Sequence, residues 1–274
     1  MRTPPSPLDT TPLSQPNPAR MYNYLLGGFH HLAIDRQAAE AALQVYPDIA
    51  LLAHVNRAFL RRVVTCLLAH GIRQFLDLGS GLPTIGCIHE VAYAHAPESR
   101  VVYVDTDPLT VAHGRKLLQA IGTTTMLQAD LRQMRQILRH PEVQRLLDVR
   151  QPIAVLLLTL LLFLPRDADA YGLLEELGAA LAPGSYVALA HAAIEHLPGE
   201  RRQALQQLGP IFARSTHPGT ARTPAQIARF FTGLELIAPG LVFVPLWRPE
   251  GPDDLFVDQP ERSLLLGGVG RKRA

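Results

Sequence analysis

The stretch IAVLLLTLLLFL at 153–164 constrains the fold more than any other segment of the chain. It does not alternate apolar and polar residues, so a strand formed from its first half, IAVLLLT, must be covered on both faces. A membrane-spanning helix needs about 20 apolar residues, so this shorter run reads as a core strand and its extension. A strand covered on both faces needs helices above and below a sheet.

The surrounding chain supplies them. From Gly71 onward, RQFLDLG, RVVYVDTD, TTTMLQADLR, IAVLLLT and YVALAHA read as strands. IGCIHEVAYAHA, PLTVAHGRKLLQAIG, 131–147 and 167–181 read as the helices between them. Pro108 suits a first helical turn, and Thr223 with Pro224 suits the cap and first position of PAQIARFFTGL. Strands alternating with helices imply right-handed crossovers and a mainly parallel, doubly wound α/β sheet of Rossmann-like type. LELIA and LVFVPLW flank Pro239-Gly240 and read as a closing antiparallel hairpin.

Ahead of this core at 71–274, residues 1–18 hold six prolines and no apolar period, which suits a flexible arm. Residues 19–70 are expected to form a helical cap. ARMYNYLLGGFHHLAI reads as an ordered loop or a short helix broken at Gly27-Gly28. From Asp35 to His70 the pattern is helical, with Val55, Phe59, Val63, Val64 and Leu67 on one face and Gly71 as terminator.

Hydrophobic content of 47%, charged content of 18% and a net charge of +2 describe an ordinary globular protein. Nothing in that balance calls for nucleic acid or an anionic membrane as a partner. The terminal RKRA reads as a solvated tail. Cys66 and Cys87 have no Cys or His neighbour at zinc spacing, and His89, His95, His113 and His140 have no metal-ligand partner. Reduced thiols, no metal and a cytoplasmic location are therefore expected, and MRTPPSPLDTTPLSQPNPAR lacks the apolar core of a signal peptide.

The chemistry concentrates at strand ends. QFLDLGSGLPTIG runs from a strand through Asp77 into Gly79, Ser80 and Gly81, which allow a ligand to lie against the backbone. A helix beginning near Pro83 would turn its N-terminus to the same place and favour an anion. The second strand ends at Asp105, 24 residues after Gly81, close to the roughly 20 that separate glycines from the ribose-binding acid of dinucleotide folds. The third ends at Asp130, within reach of an adenine amino group. Thr106 and Leu131 follow these acids directly. Three acids at consecutive strand ends suggest a nucleoside ligand. The third glycine of a dinucleotide fingerprint is replaced by Thr84, and Asp77 would repel a pyrophosphate but hold an ammonium, so S-adenosylmethionine is favoured over NAD.

FLDLGSGLPT, VVYVDTDP and LQADLR resemble the first three motifs of the class I S-adenosylmethionine-dependent methyltransferases. RMYNYLLGG, GLPT, PGSYVALAHA, RTPAQIARFF, PGLVFVPLWRP and GGVGRK resemble one bacterial branch of that class, formerly classed as a domain of unknown function. The resemblance runs from about residue 19 to the end. It implies a seven-stranded sheet ending in the hairpin, with the N-terminal segment covering the cofactor. It also implies that Gly79, Ser80 and Gly81 contact the cofactor, with Asp77 at its amino acid part, Asp105 at the ribose and Asp130 near the adenine. This chain has Leu162 where the branch has a histidine, Asn23 where it has an aspartate, and GGFHH in place of a GGKDN-like run.

Catalytic candidates are His191, after the fifth strand, and His30, beside His31 in the cover; Tyr22 and Arg57 are further candidates for cofactor contact. A general base is optional for methyl transfer, which mainly needs alignment and exclusion of water. The expected activity is methyl transfer to a small acceptor. The alternatives are a cofactor binder with lost or altered catalysis and an NAD-dependent oxidoreductase.

Overall fold

The computed structural model describes residues 13–193, 199–251 and 254–273. The first twelve residues of the proline-rich arm, and Ala274 of the tail, lie outside the described residues. The arm's last part joins the fold: Asn17 is buried and its side chain accepts from Ala19 N–H, capping α1 (Pro18–Leu25). The chain then forms α2 (Ala33–Val45) and α3 (Ile49–Ala69), separated where Pro47 interrupts the single helix read from Asp35 onward. Gly71 closes α3 with φ +81°.

An alternating series follows: β1 (Gln74–Leu78), α4 (Ile88–His95), β2 (Arg100–Asp105), α5 (Pro108–Leu118), β3 (Thr124–Gln128), α6 (Met134–Arg139), α7 (Pro141–Leu146), β4 (Ala154–Leu158), α8 (Asp167–Ala180) and β5 (Tyr186–Ala192). Asp107 caps α5 ahead of Pro108 and accepts from Thr110 N–H at 2.9 Å. The helix expected over 131–147 is broken at His140, ahead of Pro141. After β5 come α9 (Gly199–Ala213), α10 (Pro224–Arg229), β6 (Leu234–Leu236), β7 (Val242–Phe243) and β8 (Leu265–Lys272). Thr223 and Gln226 cap α10 reciprocally.

The sheet is ordered β3-β2-β1-β4-β5-β8-β6, with β7 also on β8. β1 to β5 run parallel, and β8 is antiparallel to β5. The mixed α/β class and the antiparallel ending agree with the sequence, but the sheet has eight strands rather than seven. β6 and β7 do not pair with each other as a hairpin; both pair with β8, the last strand. Gly267, Gly268 and Gly270 hid β8 from a propensity reading. They are needed there, because a Cβ on Gly267 would sit 2.7 Å from Val244 and one on Gly270 2.8 Å from Leu234. Arg271 and Lys272, read as a solvated tail, belong to this strand, and Lys272 Nζ donates to the Gly178 and Leu181 carbonyls.

Two buried layers cover the sheet, as the non-alternating fourth strand requires. One contains Phe59, Val63 and Leu67 of α3 with Phe75 and Trp247; the other contains Leu76, Leu157, Leu173 and Phe230. Because α3 shares a layer with β1, the cores do not separate at residue 70. The strand order reverses between β1 and β4, and the carboxyl ends of those strands open onto one crevice.

Candidate functional site

A cavity of about 420 Å³ lies in that crevice, within the size range of small-ligand sites. Asp77, Gly79, Ser80, Gly81, Asp105, Thr106, Asp130, Leu131, Tyr22 and Arg57 all line it. The parallel sheet brings them together: β1, β2 and β3 are successive neighbours, so their carboxyl ends fall side by side.

The glycine loop is held by geometry that only glycine tolerates. Gly79 has φ +62°, and a Cβ there would sit 2.2 Å from Leu160 Cδ1. Gly81 has φ +60° and lies under Ala19 of α1. Its N–H donates to Asp105 Oδ2 at 2.9 Å, while Asp107 N–H donates to Oδ1 at 2.9 Å. The helix expected near Pro83 begins five residues later, at Ile88, because Gly86 takes φ +66° and Cys87 is the cap. Its N-terminus does not line the cavity, so the anion argument built on it does not apply.

Burial sets the charges. Removal from water pushes the Asp77 carboxyl up to about 7, against the pull of Arg57 and with the help of Asp105. It pushes Asp105 up to about 6, although the N–H groups of Asp107 and Gly81 oppose it. Burial would also raise Asp130, but Arg132, by side chain and backbone, outweighs it and holds that carboxyl below its ordinary value. Tyr22 is raised by burial and stays neutral.

One end of the cavity carries unpartnered polar groups of both signs. Among the described residues none donates a hydrogen bond to the Asp77 carboxylate. Arg57 stands over the Tyr22 ring at 5.4 Å, and its buried Nε has no hydrogen-bond partner. Asn56 donates to the Tyr22 hydroxyl at 3.2 Å, while its own Oδ1 is buried and unpartnered. Buried polar groups are ordinarily satisfied, and an acid, an amide oxygen and a guanidinium together suit the ammonium and carboxylate of an amino acid. The residues present therefore fit the methionine part of S-adenosylmethionine.

Two segments distant in sequence form the roof. Asn17, Pro18, Ala19 and Tyr22 come from α1 and its cap, and His217 comes from the turn after α9. They are tied together: Thr216 N–H donates to the Pro16 carbonyl at 3.0 Å, and Asn17 Nδ2 donates to Thr216 Oγ1 at 3.1 Å. Arg20 anchors α1 from behind. It is fully buried, with Nε 2.7 Å from Asp35 and Nη1 2.6 Å from Asp107. Asn17 and His217 carried no sequence signal, since neither lies in a strand-end motif.

The opposite wall is Leu160, Phe163, Leu164 and Pro165. Its shape depends on Arg222, which donates to the carbonyls of Leu161 at 2.8 Å and Leu164 at 2.6 Å and pairs with Asp167 at 2.9 Å. His191, expected as a candidate base, belongs to this support and not to the cavity. Its ring is fully buried, Nε2 faces Arg222 Nη1 at 2.8 Å and Nδ1 faces the Ala192 carbonyl. Those partners place the ring proton on Nδ1, and burial, with Arg222 beside it, pulls the imidazole down to about 4. His30 also lies outside the lining: its N–H donates to Asn23 Oδ1 at 2.9 Å and its ring packs against His113 at 5.3 Å. The departures at Asn23 and Leu162 are off the cavity as well. Asn23 organises the Gly28–His30 turn, and the Leu162 carbonyl accepts from Thr220 N–H at 2.8 Å.

The S-adenosyl methyltransferase family profile matches residues 2–273. The chain is similar to a candidate methyltransferase from Thermobifida fusca YX, at 41% identity over 99% of each chain and a TM-score of 0.87. It is similar to a DUF574 family protein from Streptomyces avermitilis, at 34% identity over 97% of this chain and 99% of that one, with a TM-score of 0.85. Human N-acetylserotonin methyltransferase, solved with S-adenosylmethionine, shares the fold at 15% identity, a TM-score of 0.50, and coverage of 94% and 63% of the two chains. No curated protein matches. No helix of the described residues is long and apolar enough to cross a membrane.

Proposed function

We propose that this chain, which belongs to the S-adenosyl methyltransferase family, holds its cofactor across the ends of β1, β2 and β3 and methylates a small molecule seated against the Leu160–Pro165 wall. The observation that carries this reading is the convergence of Asp77, Asp105 and Asp130 with the Gly79–Gly81 loop on one cavity. Asp77 and Asn56 receive the ammonium of the methionine part, Arg57 its carboxylate, Asp105 the ribose hydroxyls, and Asp130 with Leu131 the adenine.

S-adenosylmethionine supplies a methyl group already activated on a sulfonium. The chain's own residues bind, orient and exclude water. Gly79, lacking a Cβ, lets Leu160 close against the loop. The tied roof of α1 and 216–217 shuts the cavity from above. The apolar wall of Leu160, Phe163 and Leu164 favours an acceptor with an apolar body, and His217, the one imidazole in the lining among the described residues, is kept neutral by burial.

Calorimetric titration of the protein with S-adenosylhomocysteine tests the cofactor assignment, and a labelled-methyl screen of metabolites tests the acceptor class. Micromolar binding together with transfer to a small molecule is expected. Absence of binding by the folded protein sinks the assignment; transfer confined to macromolecules sinks the acceptor class.

A further inference from the structure

The cavity roof holds one side chain that no motif foretold and whose second ring nitrogen is unpartnered. His217 lines the cavity, and its Nδ1 lies 3.0 Å from Thr216 Oγ1. Nε2 makes no hydrogen bond among the described residues. The turn that carries the ring is pinned on both sides. Thr216 is bonded to Pro16 and Asn17, and Thr220 N–H donates to the Leu162 carbonyl at 2.8 Å. Ser215 Oγ also donates to the His217 carbonyl at 3.1 Å. The imidazole is therefore held in place before any ligand arrives.

The same bonds decide which ring nitrogen carries the proton. Asn17 Oδ1 is committed to α1, accepting from Ala19 N–H at 2.9 Å and from Arg20 N–H at 3.4 Å. The atom of Asn17 that meets Thr216 Oγ1 is thus its amide nitrogen, and Oγ1 accepts. The Thr216 hydroxyl proton then has one hydrogen-bond neighbour to go to, His217 Nδ1. A neutral ring that accepts at Nδ1 keeps its own proton on Nε2. The roof accordingly offers the cavity an N–H donor.

That donor stands at the β3 end of the crevice. The Phe163 ring is edge-on to the imidazole at 6.4 Å. Burial lowers the ring's proton affinity, Asp130 opposes this and Arg132 adds to it. A carboxylate at the floor and an imidazole N–H at the roof therefore share this end, away from Asp77 and Arg57. An adenine edge shows an amino donor beside a ring-nitrogen acceptor, the complement of that pair.

We infer that His217 is a cofactor-binding residue that donates from Nε2 to an adenine ring nitrogen beside the amino group. This rests on the cofactor placement proposed above. Thr216 and Asn17 are positioning residues that hold the ring and its tautomer, so the tie across the roof selects the base as well as excluding water.

The test pairs calorimetric titration with S-adenosylhomocysteine and histidine ¹⁵N NMR, on the full chain, with thermal melts to confirm folding. His217→Asn keeps a partner for the Thr216 hydroxyl but loses the donor, and should bind at least about threefold more weakly, as one lost hydrogen bond implies. His217→Gln carries an amide N–H near the Nε2 position and should recover to within about twofold of wild type. In wild type, the resonances absent from His217→Asn should show the proton on Nε2. They should shift with S-adenosylhomocysteine and equally with millimolar 5′-methylthioadenosine, which has the base without the amino acid. An unchanged dissociation constant in His217→Asn, no recovery in His217→Gln, a proton on Nδ1, or a shift confined to S-adenosylhomocysteine overturns the inference and leaves the cofactor assignment standing. Absence of binding by the folded wild type removes both.

Discussion

The Gly81 N–H donates to Asp105 Oδ2 across 2.9 Å, joining the loop after β1 to the end of β2. Both oxygens of Asp105 are engaged by backbone N–H groups, so its orientation is fixed within the cavity. Asp105→Ala should weaken S-adenosylhomocysteine at least tenfold, a loss of about 1.4 kcal/mol. Calorimetry decides, and an unchanged dissociation constant removes Asp105 from the ribose.

Asp77 sets a pH dependence. Its carboxyl titrates at about 7, and only the ionised form attracts the ligand ammonium. Affinity for S-adenosylhomocysteine should therefore rise from pH 6 to pH 8, and Asp77→Asn should be weak and flat across that range. Isothermal titrations at several pH values read this directly.

The same group predicts a trade of stability for binding. A folded-state value raised above the unfolded value means the native chain holds the proton more tightly, so this site makes stability fall as pH rises from about 4 to about 7. Without ligand at pH 8, Asp77→Asn should melt several degrees above wild type, at about 2–4 °C for each kcal/mol. A lower melting temperature contradicts the desolvation account.

Gly79→Ala meets two obstacles, a left-handed backbone at φ +62° and a Leu160 methyl 2.2 Å from the new Cβ. We expect a loss of about 2–4 kcal/mol and a collapse of ligand affinity. Adding Leu160→Ala relieves the contact but not the backbone, so chemical denaturation should show only partial recovery.

His191 supports the wall through Arg222. His191→Leu should lower stability at pH 7 while changing S-adenosylhomocysteine affinity less than twofold. Its value is pulled down to about 4, so the native state resists protonation that the unfolded chain accepts below about 6.5. Stability from this group is complete above about 6.5 and is lost as pH falls toward 4. The variant should flatten that acid slope in a melting series, and a large affinity loss would return His191 to the site.

The cavity's strand-end lining was legible because a parallel strand forces its last residue to the carboxyl edge of the sheet; the placement of Asp77, Asp105 and Asp130 needed no further information. Tyr22 and Arg57 were legible as candidates through the motif and helix that carry them. His217 and Asn17 were not, since they are brought together through Thr216, which bonds Pro16 and Asn17 about two hundred residues away in sequence. His191 misled because a histidine at a strand end reads alike whether it faces the ligand or a buried guanidinium. The closing sheet was misread for a similar reason: glycines that admit Phe59 and Val244 beside β8 look like breakers when their neighbours are unknown.

The position of β8 has a consequence for biosynthesis. Its residues 265–272 are inserted between β5 and β6, so an emerging chain that has already made β1 to β5 carries an open sheet edge on the ribosome. The cavity roof likewise waits for residue 216 to reach residue 16. Nascent molecules thus pass through a stage with the cavity's strand-end acids in place and neither edge nor roof complete, the stage at which chaperone protection matters most.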